Sequence, residues 1–87
     1  MTTKYPQSLT INRLNNEVFA ARTKFPGNRL LLAALTEEVG ELAKAMLQDR
    51  PREEIIKEAI QVAAVAVRII EEGDSSFDGL TSAETLA

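Results

Sequence analysis

Hydrophobic side chains recur at steps of three and four along most of this chain. Ile11, Leu14, Val18 and Ala21 form a first run, and Leu31, Leu35, Val39, Leu42 and Met46 form a second that Leu32 widens. A third stretch, from Ile60 to Val67, is apolar nearly all round and is interrupted only by Gln61. Such spacing gathers side chains on one side of an α-helix, so the pattern predicts three helices and an all-α fold. Residues 1–7 read as a loose arm in which Pro6 discourages helix at Tyr5, and Ser8 or Thr10 is positioned to cap a helix running to about Lys24. FPGN, residues 25–28, breaks that helix and turns the chain, leaving Asn28 as the expected cap of a second helix from about Arg29 to Gln48. Within that helix Gly40 costs propensity, which points to close helix packing or to room for something bound. DRPREE, residues 49–54, predicts a turn into a third helix, with Pro51 in its first turn and Glu53 and Glu54 at its positive end. Gly73 should end it after Glu72. Residues 8–73 thus form the expected domain, and residues 74–87 a polar tail with Phe77 and Leu80 as its docking side chains.

An apolar surface that wraps most of helix three asks for burial on more than one side. The simplest cover is a second copy of the chain, so a homodimer or a dimer of dimers is expected, with a four-helix core made from two hairpins. Size argues the same way. With 87 residues the chain is one domain at most, and a domain this small buries a modest share of its surface.

Composition narrows the chemistry. The chain has no cysteine and no histidine, which excludes disulfides, thiolate zinc sites, imidazole ligands and the commonest general base. The net charge is −3, and Glu17 is the one acid among the first 29 residues, so the body of the domain is acidic. No basic stripe suited to a nucleic-acid backbone is present. No leader pattern is evident, and Ala59 to Val67 is far too short to span a bilayer, so a soluble, cytoplasmic protein is expected.

The concentration of acid in LTEEVGELAKAM, residues 35–46, is the feature that calls for chemistry. Glu38 and Glu41 stand three apart beside the apolar stripe, Glu37 lies farther round, and Glu58 and Gln61 repeat the three-residue step on helix three. If the two helices pack antiparallel, both pairs face one groove. Hard cations such as Mg²⁺ and Mn²⁺ take oxygen ligands of this kind, and a cation would relieve the mutual repulsion of the carboxylates. The plainer reading is that glutamate is a good helix former, with Glu41–Lys44 and Glu54–Lys57 as ion pairs on a wet face. By spacing alone the plainer reading leads.

EEVGELAKAM, followed after a short turn by KEAIQVAAVAVRIIEEGD, resembles the MazG-like all-α nucleotide pyrophosphohydrolases, whose signature is a helix-borne ExxE, a gap and a helix-borne ExxD. The resemblance covers roughly residues 28–74. It matches the first motif as Glu38 and Glu41, with Glu37 completing EExxE, and the second at Glu58, while Gln61 stands where the family has aspartate. The resemblance implies hydrolysis of a nucleoside triphosphate to a monophosphate and pyrophosphate. Glu38, Glu41, Glu58 and Gln61 would hold Mg²⁺ or Mn²⁺, and Glu37 and Glu38 would act in catalysis, Glu37 by orienting or deprotonating the attacking water. An amide at position 61 brings no negative charge, so cation affinity should be lower. Similar proteins often continue into a helix bearing lysine and asparagine, which residues 74–87 lack. Phosphate contacts would then fall to Lys44 and Lys57, or to Arg68 or the first helix, and Phe19, Phe25 and Tyr5 are the rings available to stack on a base. Two other readings stand beside this one: a MazG-like protein that binds nucleotide or metal without turnover, and a small helical dimerisation module without metal.

Overall fold

The computed structural model describes residues 5–77 and contains three helices: α1 Gln7–Lys24, α2 Leu31–Leu47 and α3 Arg52–Glu72. All the regular secondary structure among the described residues is helical. No helix among them is long and apolar enough to cross a membrane.

Helix α3 is the centre of the arrangement. It packs against both α1 and α2, whereas no Cα of α1 comes within 8 Å of a Cα of α2. Ion pairs link Arg13 to Glu53 at one end of α1 and α3, and Arg22 to Glu71 and Glu72 at the other, so these two helices run parallel. The chain after α3 returns to the start of α2, where Ser75 N–H donates to Asn28 O, so α2 and α3 are antiparallel. The hydrophobic core is thin. Val18, Leu31, Ala45, Ile60 and Ala64 are buried, and among the described residues no large side chain is completely enclosed.

Helix ends depart from the sequence expectation in an instructive way. Neither Ser8 nor Thr10 caps α1. The Pro6 carbonyl accepts from the N–H groups of Leu9 and Thr10, and the Thr10 hydroxyl also turns back onto that carbonyl. Asn28 does not cap α2 either: its side-chain amide donates to the carbonyl of Glu72 at 2.6 Å, closing the end of α3. Helix α2 is capped from far along the chain. Asp74 Oδ2 accepts from Leu32 N–H at 2.8 Å, Ser76 Oγ accepts from Leu30 N–H at 2.7 Å, and Asp74 is almost completely buried. A carboxylate at this end satisfies free donors and complements the helix dipole. Leu30, just before α2, is held at φ 60°, a left-handed conformation uncommon for a leucine.

The turn between α2 and α3 follows the Schellman pattern. Arg50 N–H donates to Ala45 O and Asp49 N–H to Met46 O, with Asp49 in the left-handed position usually taken by glycine. Pro51 sits at the N-cap of α3, one residue before the expected place, and Gly73 ends that helix at φ 71°. Gly40 is not a point of close packing within the chain, since a Cβ there would meet nothing within 4 Å.

Arg68 corrects another expectation. Its charge alone suggests a phosphate-binding cation, but it is 3% exposed and bonded throughout. Its guanidinium donates to the carbonyls of Ala21, Phe25 and Gly27 and to the carboxylate of Glu72. Arg22 reaches the same carboxylate from α1. Arg68 therefore fastens the end of α1 and the 25–28 turn onto α3.

Candidate functional site

Because α1 and α2 stand apart on either side of α3, a cleft of about 740 Å³ lies between them. Ala20 and Ala21 of α1, Ala34 of α2 and Val65 of α3 line its middle, while Phe25, Arg29 and Leu30 line the end near the first turn. At the other end stand Glu17, Glu37, Glu38 and Gln61. A second cavity, of about 340 Å³, opens between α2 and α3 and is lined by Glu41, Lys44, Glu54, Lys57 and Glu58 among others.

The residues singled out in the sequence are thus divided between two adjacent cavities. Glu37, Glu38 and Gln61 border the larger cleft, while Glu41 and Glu58 border the smaller one together with Lys44 and Lys57. Glu38 lies between the two groups. It occupies the face of α2 that carries Leu31, Leu35, Leu42 and Ala45, and it is half-buried, whereas Glu37 and Glu41 are exposed. Burial pushes the Glu38 carboxyl above its ordinary range, and the like charges of Glu58, Glu37, Glu41 and Glu17 push it the same way. Among the described residues, no three acidic side chains converge closely enough to form a ready cation site.

The plainer ion-pair expectation is also revised. Neither Glu41–Lys44 nor Glu54–Lys57 forms among the described residues; Glu54 instead pairs with Arg50 at 2.6 Å, four residues earlier. None of the ion pairs described above, which involve Arg13, Arg22, Arg50 and Arg68, reaches Glu37, Glu38, Glu41 or Glu58 among the described residues.

Glu17 is the site residue that sequence reasoning passed over. The Gln61 amide donates to Glu17 Oε1 at 2.7 Å, which brings a carboxylate from α1 against position 61. The one signal in the sequence was that Glu17 is the lone acid in a basic helix, and no periodicity argument could say which helix it faces. Compared with family models, with curated proteins and with solved structures, the chain matches none, so the reading of this cleft rests on its own residues.

Proposed function

We propose that the protein is a Mg²⁺- or Mn²⁺-dependent nucleoside triphosphate pyrophosphohydrolase, with the MazG-like fold and self-association that its sequence resemblance implies. The observation carrying this reading is the half-buried Glu38, which stands at the end of a ligand-sized cleft within the field of the like charges of Glu58, Glu37, Glu41 and Glu17. Repulsion of that kind costs stability in an empty protein and becomes useful only when a cation is bound. The donor set is all oxygen, which fits a hard divalent ion, with Glu38, Glu41, Glu58 and the Gln61 amide oxygen as the groups to hold it. When bound, such an ion supplies charge neutralisation for the phosphates and activation of water.

The remaining roles fall to the chain itself. Glu37, exposed on the cleft side of α2, orients or deprotonates the attacking water. Lys44 and Lys57, beside Glu41 and Glu58, take phosphate oxygens. The alanine-lined middle of the cleft leaves room for the nucleoside. A second reading, nucleotide or metal binding without turnover, is favoured by two specific features: position 61 holds an amide already bonded to Glu17, and the acids do not yet converge.

The test is pyrophosphate release from a panel of ribo- and deoxyribonucleoside triphosphates, with and without Mg²⁺ or Mn²⁺, in the wild type and in Glu38→Gln. Metal-dependent release that falls roughly 100-fold or more in the variant is expected, the scale of losing a key electrostatic group in an active site. Binding of nucleotide and metal without release would select the second reading. If neither ligand binds and Glu38→Gln only melts higher, the carboxylates are a repulsive surface and the enzyme reading fails.

A further inference from the structure

At the acidic end of the cleft, α1 and α3 are joined by the partly buried hydrogen bond from the Gln61 amide to Glu17 Oε1, 2.7 Å long. Both side chains border the cleft, and both also border a neighbouring cavity of about 300 Å³. An ionised carboxylate only accepts hydrogen bonds, so the nitrogen of the amide is the branch that faces Glu17. Turned the other way, the amide oxygen would meet a carboxylate oxygen with no proton between them. Glu17 therefore decides which end of the planar amide faces away from α1. On α3, Gln61 shares its face with Glu58, one turn earlier, and the charges of Glu58 and Glu17 both act on Glu38. A simple tie between helices would account for a hydrogen bond here, but not for the choice of acceptor. Glu17 is half-buried, and its charge adds to those already acting on Glu38, so as a tie it is worse than a neutral amide. Arg13, one turn before Glu17 on α1, donates to Glu53 and to the Tyr5 hydroxyl instead.

We propose that Glu17 is a positioning residue for the divalent cation: it holds the Gln61 amide by its nitrogen, so that the carbonyl oxygen is the group offered as a ligand. The inference rests on the cation site proposed above and holds whether or not turnover follows binding. The bond occupies the nitrogen and not the oxygen, so it is no obstacle to ligation. An uncharged amide oxygen is a weaker ligand for a hard cation than a carboxylate, and the carboxylate behind it offsets part of that loss in two ways. Accepting from the N–H polarises the amide and makes its oxygen more basic, as the outer partners of metal ligands do. The negative charge that residue 61 lacks is also returned one hydrogen bond farther out, where its pull on a cation is weakened by distance but keeps its sign. Gln61 and Glu17 together thus supply the oxygen and the charge that an aspartate supplies alone. The lone acid of the first 29 residues acquires a role, although 44 positions separate it from its partner in the sequence.

The experiment is Mn²⁺ binding to the full chain without nucleotide, followed by electron paramagnetic resonance of the free ion and by the rise in Tm. The proteins are wild type, Glu17→Ala, Glu17→Gln, Gln61→Asp, the Glu17→Ala/Gln61→Asp pair, and Glu38→Gln as the variant that loses the site. Each change at Glu17 should weaken Mn²⁺ binding roughly 10–100-fold, the effect of losing the outer partner of a ligand. Glu17→Gln should do so with helical circular dichroism unchanged, because a second amide donates as well as accepts and no longer fixes the orientation of the first. With Gln61→Asp the sign should reverse: two carboxylates then face each other, and removing Glu17 should leave Mn²⁺ affinity equal or higher. A bond that only ties two helices would not produce that reversal. Wild-type binding that is lost in Glu38→Gln but falls by less than roughly 10-fold in both Glu17 variants overturns the proposal and leaves the cation site standing. Equal weakening by Glu17→Ala with Gln61 or with aspartate at that position makes Glu17 a ligand itself and overturns the positioning role. A wild type that binds no Mn²⁺ at millimolar concentration ends the cation site and this inference with it, a result distinct from the other two.

Discussion

Replacing Arg68 with methionine tests the claim that one buried cation holds the end of α1, the 25–28 turn and α3 together. The guanidinium reaches Gly27 O at 2.6 Å, Phe25 O at 3.0 Å and Glu72 Oε2 at 3.0 Å, and it is 3% exposed. Methionine keeps much of the volume but none of the donors. Breaking a buried pair from one side costs about 3–5 kcal/mol. The lower figure applies here, because the turn carbonyls can reach water and Glu72 keeps Arg22. A loss of about 3 kcal/mol is a large part of the roughly 5–15 kcal/mol that holds a domain together. At this chain length it lowers Tm by roughly 12–24 °C. The assay is urea and thermal unfolding followed by circular dichroism, for Arg68→Met, Arg68→Lys, Glu72→Gln and the Arg68→Met/Glu72→Gln pair. Lysine keeps the charge but not the fork, so it should fall between wild type and methionine. The double variant should lose less than the sum of the singles, with a coupling of about 1 kcal/mol or more.

Acid provides an independent check on the same network. The Arg68 hydrogen bond holds the Glu72 carboxyl below its ordinary range, with Arg22 adding to it against the opposing effect of burial. A depressed acid contributes stability that is present above its unfolded pKa and lost as pH falls through its folded value. The gap between wild type and Arg68→Met should therefore be full at neutral pH and narrow in acid. An Arg68→Met protein within about 1 kcal/mol of wild type at neutral pH, below the range for a broken buried pair, would refute the reasoning and reduce Arg68 to a space-filling side chain.

Two further substitutions probe features of α2. Asp74→Ala removes the carboxylate that caps the helix, and since the Leu32 N–H bond holds this carboxyl below its usual range, the resulting drop in Tm should be present at neutral pH and vanish as pH falls through that depressed range. Gly40→Ala has open space for its methyl group and should stabilise by about 1 kcal/mol, or roughly 4–8 °C in Tm; no gain, or a loss, would show that something packs against that position in solution.

The three helices were legible in the sequence because periodicity and the breakers at 25–28, 49–51 and 73 are local signals. What each apolar face packs against was not. The expected single stripe of α2 is two stripes in the structure: Leu31, Leu35 and Leu42 turn toward α3, while Val39 and Met46 turn outward, and both choices satisfy the same spacing. Caps failed for a related reason. Asn28 and Asp74 each serve a helix end more than forty residues away, a pairing set by how the ends of α2 and α3 meet. Arg68 left a faint trace, a lone cation inside an apolar run with Glu72 four residues on, and charge alone suggested a surface role. The acidic residues were recognisable as a group, but their division between two cavities, and the approach of Glu17 to Gln61, follow from α1 lying against α3 and clear of α2.

That placement of α1 has a mechanical consequence. A helix attached along one side only is a cantilever, and its stiffness depends on where it is clamped. At its C-terminal end α1 is clamped by the buried Arg68 network and the 25–28 turn. Toward the other end the cross-links are the partly exposed Arg13–Glu53 and Glu17–Gln61 pairs, bonds of the kind that salt and water weaken readily. Compliance therefore rises along α1 away from the turn, and the wall of the cleft yields most easily at the end where Glu17, Glu37 and Glu38 stand.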